Sequence, residues 1–115
     1  MPQPPRQLLF VCSGNICRSP LAHYYAADRL RALGHTDVAV TSAGTLGIVG
    51  EPAHPLSEAV GREHGLDLSD HRSRGVTTFL VRESHLILVM TESHRAAILS
   101  VHPERNRDVV FLGGY

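Results

Sequence analysis

The stretch that decides the fold is LLFVCSGNICRSPLA, residues 8–22, because it places a strand, a turn and a helix start side by side. Leu8–Val11 is a short apolar run that predicts a buried strand with Cys12 at its exit. A turn-forming SGN triplet follows directly. Ser19 before Pro20 then predicts a helix N-cap and the first helical residue.

Apolar and amphipathic segments alternate along the rest of the chain. The patterns predict helices over 19–33, 55–64, 76–85 and 91–102, and strands over 37–44, 85–90 and 108–115. Strands that alternate with helices and are apolar throughout predict an α/β fold: a doubly wound, four-stranded parallel sheet with helices on both faces. In such sheets ligands bind at the carboxyl ends of strands, where the loop after the first strand would lie. We expect one domain over residues 1–115.

Composition excludes several classes of function. The chain has 115 residues, zero net charge and eleven basic residues, so it lacks the basic excess that predicts a nucleic-acid or membrane-surface partner. All eleven are arginine, and without lysine a Walker-type nucleotide loop or a Schiff base is impossible. No apolar run approaches the roughly 20 residues that span a bilayer. Two cysteines cannot build a disulfide framework, which predicts a reducing, cytoplasmic setting.

Cys12 and Arg18 form a C-x5-R pattern with distinctive chemistry. The chain between them must curl, and Gly14 and Asn15 tolerate the positive φ angles of such a curl. Curled amides ending at a helix N-terminus form an anion-binding nest, which Arg18 can close with a bidentate grip on phosphate oxygens. The same positive potential should lower the pKa of Cys12 from about 8.5 into the range of about 3.5–7.5. The pattern therefore predicts a thiolate placed for in-line attack on phosphorus.

The segment VCSGNICRSP resembles the signature of the low-molecular-weight protein tyrosine phosphatases. The resemblance continues through TSAGT (41–45), HGLDLSDHRSR (64–74), LILVMTESH (86–94) and VVFLGGY (109–115). It implies hydrolysis of phosphotyrosine in a phosphorylated protein through a phosphocysteine intermediate, with no cofactor. Cys12 would be the nucleophile and Arg18 the phosphoryl-binding side chain. The implied phosphate-binding amides, which would also hold inorganic phosphate or other oxyanions, belong to Ser13, Gly14, Asn15, Ile16, Cys17, Arg18 and Ser19.

The resemblance also implies a supporting network around the loop. Asn15 would stabilise a left-handed turn and hydrogen-bond to Ser19, Ser42 and His71, and the Ser19 hydroxyl would donate to the thiolate. In ordinary turnover we expect Cys17 only to fill space beside the loop; the resemblance also suggests a reversible disulfide between Cys17 and Cys12 that would protect the nucleophile from over-oxidation.

A wall beside the pocket is implied by the same resemblance. Leu46, Ile48 and Val49 stand where tyrosine-selective relatives often present an aromatic side chain. The chain has no Trp and only three Tyr and three Phe, so few aromatic side chains are available to stack on a substrate ring.

The family's general acid is an aspartate in an Asp-Pro motif, and the 115 residues contain no such motif. General acid catalysis typically contributes about 10²–10⁴-fold, so we expect phosphorylation of Cys12 but slow turnover. We also expect the C-terminal part of the fold, including its final helix, to be missing. The uncovered sheet face should then favour self-association.

Three alternative functions stay open. The first is a phosphatase that acts on phosphoarginine in place of phosphotyrosine. Arginine phosphatases of the bacterial branch carry threonine where this chain has Ile16, which speaks against this alternative, but the MTESH segment is similar to theirs, which supports it. The second alternative, arsenate reduction, needs further cysteines downstream of the loop. It is disfavoured because both cysteines of this chain lie within the loop. The third alternative is a non-catalytic phosphate-binding module.

A metal site is not expected, since the closest histidines, His64 and His71, are seven residues apart.

Overall fold

The computed structural model of the protein describes residues 6–112. Its strands are β1 (Arg6–Cys12), β2 (Val38–Gly44), β3 (Leu86–Val89) and β4 (Val109–Phe111). Its α-helices are α1 (Arg18–Ala32), α2 (Pro55–Glu63), α3 (Thr78–Glu83) and α4 (Glu92–Val101), with a 3₁₀ helix at Pro103–Arg105. The predicted order of elements is confirmed.

The four strands form one parallel sheet in the order β2-β1-β3-β4. β1 therefore lies inside the sheet and pairs with β2 on one side and β3 on the other. The chain leaves β1 towards β2 and later crosses back to β3, which makes the carboxyl end of β1 the switch point of the sheet. Cys12, the last residue of β1, stands at this point.

One face of the sheet is closed by α3 and α4. Leu9 and Val11 of β1 are fully buried on this face, because alternate residues of a strand point to the same side. They belong to the main core cluster, which also contains Ala43, Leu80, Val81, Ile87, Val89, Ile98 and Val109. The sheet is therefore anchored to this helical layer along β1 and β3.

The opposite face carries α1 and α2, which confirms the prediction of helices on both sides. Leu66 and Leu68 are buried there with Ala53, and Leu21 and Tyr24 of α1 pack against them. An apolar groove of about 460 Å³ remains open on this face; its lining includes Phe10, Leu21, Tyr25, Val60, Leu66 and Leu112. The self-association that we expect from an uncovered face stays a prediction.

Several boundaries differ from the sequence prediction. The last strand was expected over 108–115 but covers only Val109–Phe111, and residues 113–115 lie outside the described part of the chain. The helix expected over 76–85 is the shorter α3, which the Thr77 side chain caps by accepting from the Leu80 amide. Within residues 6–112, no helix has the length and apolar character needed to cross a bilayer.

Candidate active site

The C-x5-R loop lies between β1 and α1, at the switch point of the sheet. Cys12 ends the strand with only 3% of its surface exposed, and Arg18 is the first residue of α1. The loop therefore joins a buried strand end to a helix N-terminus, where main-chain N–H groups have no partners within the helix. Such a position favours an anion over the sulfur of Cys12.

The amides of the loop are available to a ligand. Those of Ser13, Gly14, Ile16 and Cys17 donate to no acceptor among residues 6–112. The Asn15 amide points inward, 3.3 Å from Cys12 Sγ. Main-chain N–H groups are strong donors that a folded chain seldom leaves unpaired, so a run of them marks a place for an acceptor from outside the chain.

Asn15 makes the curl of the loop. Its φ is +58°, and among the described residues it is the one non-glycine residue with positive φ. Asn is among the L-residues that tolerate this left-handed region best. Gly14 was expected to share this role, but it does not have positive φ. The left-handed turn therefore depends on a single residue, which is fully buried.

Ser19 does not cap α1, contrary to the prediction. The helix begins at Arg18, two residues before the predicted first helical residue Pro20, with Cys17 in the N-cap position and no side-chain cap. This leaves the Ser19 hydroxyl free to turn into the site. It accepts from Asn15 Nδ2 at 2.8 Å and lies 3.0 Å from Cys12 Sγ. A thiolate can only accept, so in the anionic form of Cys12 the hydroxyl hydrogen of Ser19 donates to the sulfur.

Opposing effects set the pKa of Cys12. Burial raises it, because desolvation disfavours the charged thiolate. Hydrogen bonds from the Ser19 hydroxyl, the Ser19 amide and the Asn15 amide lower it, and so does the positive charge of Arg18. The net result is a pKa below the ordinary value of a thiol. Although Cys12 is buried, its lowered pKa favours the anionic, nucleophilic form that reactive cysteines require.

Arg18 and Cys17 lie at the rim of the loop. Both side chains are exposed, and the guanidinium of Arg18 has no hydrogen-bond partner or ion pair among residues 6–112. Arg18 can therefore turn its five donors towards an incoming anion. Cys17 is a free thiol, and its carbonyl oxygen accepts from the Ser57 hydroxyl of α2 at 2.9 Å.

His71 supports the loop from behind, as expected. Its Nε2–H donates to the carbonyl oxygen of Asn15 at 2.7 Å, and the ring is 5% exposed. Burial lowers the pKa of His71; the hydrogen bond to Asn15 acts in the opposite direction, and Arg72 and Arg74 lower the pKa further. A neutral ring with its hydrogen on Nε2 can hold the turn without adding charge to the loop.

Ser42 does not reach Asn15, contrary to the expected network. Its hydroxyl lies 2.9 Å from Nδ1 of His23, a residue of α1 that the sequence reasoning did not select. Burial, with the nearby charges of His71 and Arg74, lowers the pKa of His23 to about 4. The remaining place beside Asn15 is taken by Arg74.

Arg74 was also not anticipated. Its amide donates to Asn15 Oδ1 at 3.0 Å, while its side chain donates to the Ser42 carbonyl oxygen at 3.2 Å and to the Thr41 hydroxyl. One residue thus holds both the loop and the end of β2. In the sequence, Arg74 is only the last residue of the HGLDLSDHRSR segment, and no local pattern indicates that its main-chain amide is the partner of Asn15.

Gly44 lets the loop approach β2. A Cβ at this position would lie 2.6 Å from the Ser13 carbonyl oxygen and 2.9 Å from the Asn15 nitrogen, closer than real contacts allow. Two hydrogen bonds fasten the same junction: the Thr45 amide donates to the Cys12 carbonyl at 3.0 Å, and the Leu46 amide to the Ser13 carbonyl at 2.9 Å. The loop therefore rests directly on the backbone that follows β2.

The three expected wall residues lie on this same segment but differ in exposure. Ile48 is half-buried against the loop, since a methyl group on Gly14 would touch its Cδ1 at 3.7 Å. Leu46 and Val49 are 69% and 75% exposed. Only Ile48 thus packs on the loop, while the other two present apolar surface to solvent. Within residues 6–112, no cluster of three potential metal ligands occurs.

Comparison with known proteins identifies the family. Residues 7–115 match the family model described as low molecular weight phosphotyrosine protein phosphatase. The chain belongs to this family. The low molecular weight protein-tyrosine-phosphatase Wzb of Salmonella typhi is 38% identical over 107 residues, which cover 93% of this chain and 68% of that relative.

Solved structures of the family agree with the fold. The low molecular weight protein tyrosine phosphatase from T. tengcongensis superimposes with a TM-score of 0.83 at 35% identity, over 90% of this chain and 71% of that one. The YwlE arginine phosphatase from Geobacillus stearothermophilus gives a TM-score of 0.80 at 31% identity, over 91% and 65% of the two chains. Family membership and the parallel α/β fold are both confirmed.

Proposed function

We propose that this low molecular weight phosphatase hydrolyses phosphotyrosine in proteins through a phosphocysteine formed on Cys12. The observation that carries the proposal is the environment of the sulfur. Cys12 is buried, its pKa is lowered, and the loop amides beside it have no acceptor among residues 6–112. A thiolate beneath a ring of free donors suits nucleophilic attack on a bound phosphoryl group.

The site supports a two-step reaction. The Cys12 thiolate attacks phosphorus, so that an S–P bond forms while the P–O bond to the tyrosyl oxygen breaks and the leaving oxygen takes up a proton. The loop amides and the guanidinium of Arg18 hold the phosphoryl oxygens as charge develops. Water then attacks the phosphocysteine, inorganic phosphate leaves, and the Ser19 hydroxyl stabilises the returning thiolate.

Protonation of the leaving group needs a general acid. The resemblance places it in an Asp-Pro motif, which the 115 residues lack. For a polypeptide of these residues alone, we expect fast formation of phosphocysteine from aryl phosphates with acidic phenols and steady turnover slower by about 10²–10⁴-fold than with an acid present. Stopped-flow release of nitrophenol should show a burst of one equivalent followed by a slow phase.

Phosphotyrosine is the favoured substrate because Ile16 gives the loop an apolar side chain. Ile16 lies close to Gly14, where a methyl group would meet its Cδ1 at 3.6 Å, and Ile48 approaches the same point. This apolar patch at the loop suits the edge of an aromatic ring better than a charged guanidinium. Phosphoarginine is the second candidate, since the similar YwlE structure is that of an arginine phosphatase.

A substrate comparison tests the proposal. Peptides that carry phosphotyrosine, phosphoarginine or phosphoserine at the same position are incubated with the protein, and the phosphorylated protein is trapped by acid quench and mapped by mass spectrometry. We expect phosphate on Cys12 and the highest kcat/KM with phosphotyrosine. A preference for phosphoarginine would support the second candidate instead.

The same experiment separates the phosphatase from two alternative functions. A non-catalytic phosphate-binding module would retain phosphopeptide without forming a phosphocysteine. An arsenate reductase-like protein would consume a thiol reductant on addition of arsenate. Absence of phosphocysteine with all three peptides would refute the proposed phosphatase function.

A further inference from the structure

His94 touches the phosphate loop from the other side of the sheet. It is the third residue of α4 and is 2% exposed. Its Nδ1 accepts from the Thr91 amide at 3.2 Å, and its Nε2 lies 2.9 Å from the Ser13 hydroxyl. One ring therefore links the start of α4 to the residue that follows Cys12.

The two contacts fix the tautomer of the ring. The Thr91 amide can only donate, so Nδ1 carries no hydrogen. Burial lowers the pKa of His94, and the positive charge of Arg18 lowers it further, which favours the neutral imidazole. The single ring hydrogen is then on Nε2 and donates to Ser13 Oγ. The hydrogen of Ser13 itself must point away from the ring.

This bond holds a side of the loop that nothing else in the described chain holds. The other supports all come from the segment after β2: the Leu46 amide on the Ser13 carbonyl, the Ser57 hydroxyl on Cys17, and the His71 ring on Asn15. Among residues 6–112, the His94 ring provides the one hydrogen bond between α4 and the loop.

We propose that His94 is a positioning residue for the phosphate site, which fixes Ser13 so that the amides after Cys12 are in place before an anion binds. The proposal rests on the proposed function. A purely capping role would use only Nδ1, and it gives no account of Nε2 and its contact with the loop. Preorganised donors bind an anion more tightly because less ordering is required on binding.

The chain offers a substitution that separates the two contacts. In His94→Asn, the short side chain presents an oxygen near the place of Nδ1 and can still accept from the Thr91 amide, but it cannot reach Ser13. We expect the dissociation constant of inorganic phosphate to rise about fivefold, the usual size of one lost hydrogen bond. The melting temperature should stay close to that of the unmodified chain.

Two further variants test whether His94 acts on phosphate binding through Ser13. Ser13→Ala should weaken phosphate binding by a similar factor, and the double variant should lose no more than either single one. His94→Gln, whose longer amide can donate to Ser13, should recover most of the affinity. Ser100→Ala, an exposed position in the last turn of α4, serves as the neutral control.

Phosphate affinity is read from protection of Cys12 against iodoacetate, which does not require turnover. Losses that multiply in the double variant, to about 25-fold, would overturn the proposal because the two residues would then act separately. Unchanged phosphate binding in His94→Asn would also overturn it. A protein that binds phosphate as expected but forms no phosphocysteine would refute the proposed function and leave the role of His94 standing.

Discussion

The floor of the site and its wall are built in opposite ways. The floor consists of Cys12, Asn15 and Ser19, of which none is more than 3% exposed. The wall contains Leu46 and Val49, which are 69% and 75% exposed. The proposed nucleophile and the two residues that support it are thus buried inside the fold, while the side chains proposed to meet the substrate are exposed to solvent.

The difference follows from what each part must satisfy. Every buried side-chain nitrogen and oxygen of the described residues has a hydrogen-bond partner. The polar side chains of the floor can therefore be buried away from water without the cost of an unpaired donor or acceptor. The exposed wall side chains make no such bonds and can be replaced at little cost in stability. A family can therefore keep one reaction and vary its substrates by changing the wall alone.

The largest effect should come from removing the nucleophile from the floor. We expect Cys12→Ser to lower kcat by roughly 10⁴-fold or more, because a serine hydroxyl is not ionised under these conditions. Phosphopeptide binding should persist, since the loop amides remain. Steady-state kinetics and a peptide pull-down measure the two quantities. Cys17→Ser is the matched control, and a comparable loss of kcat there would contradict the assignment.

Asn15 should be the residue on which the shape of the floor depends most. Asn15→Ala leaves an ordinary residue in the left-handed region and removes the bonds to Ser19 and the Arg74 amide. We expect the free energy of unfolding to fall by about 3 kcal/mol. Asn15→Gly relieves the backbone strain and should recover about 1 kcal/mol. Urea denaturation checks both values; equal losses would mean that φ at this position carries no cost.

Ser19 should tune the thiolate through its hydrogen bond to Cys12. In Ser19→Ala the hydroxyl hydrogen bond to Cys12 is lost, and a bond to a charged group contributes about 1.5–3 kcal/mol. The thiol pKa should therefore rise by at least about one unit. The midpoint of the pH dependence of iodoacetate labelling would move to higher pH. Ser57→Ala, which removes a bond to Cys17 and leaves Cys12 untouched, should not move it.

The smallest effect should come from the wall. Val49→Tyr adds an aromatic ring on an exposed position and should lower KM for phosphotyrosine peptides about two- to fivefold, as one aromatic contact does. KM for phosphoserine peptides should not change. A drop in melting temperature of more than a few degrees would show that Val49 belongs to the packed structure rather than to the wall.

The loop could be predicted because its chemistry is continuous in sequence. Cys12, Asn15 and Arg18 lie within seven residues, between the last residue of β1 and the first residue of α1. The alternation of apolar strands and amphipathic helices was equally local, and it predicted the parallel sheet correctly. Even so, the predicted N-cap of α1 was two residues too late, because Ser19 is a favourable N-cap whose hydroxyl contacts Cys12 in the structure instead.

The missed residues act over long distances. His94 meets Ser13 across 81 positions of sequence, and the Arg74 amide meets Asn15 across 59. Neither pairing has a local signature, because each depends on how the strands are ordered in the sheet. The resemblance alone placed Ser42 beside Asn15, whereas in the fold its hydroxyl lies 2.9 Å from Nδ1 of His23. Neighbours in space follow from topology, which the composition of a segment does not reveal.

Gly44 carries no reactive atom, yet a single methyl group there would collide with the main chain of Ser13 and Asn15. Evolution of this chain is therefore constrained at a site where a sequence reader sees only the end of a strand. A change from glycine to alanine would push the loop that carries the reacting sulfur out of place without altering any residue that touches a substrate. Catalysis would then be lost only because the junction has no room for one methyl group.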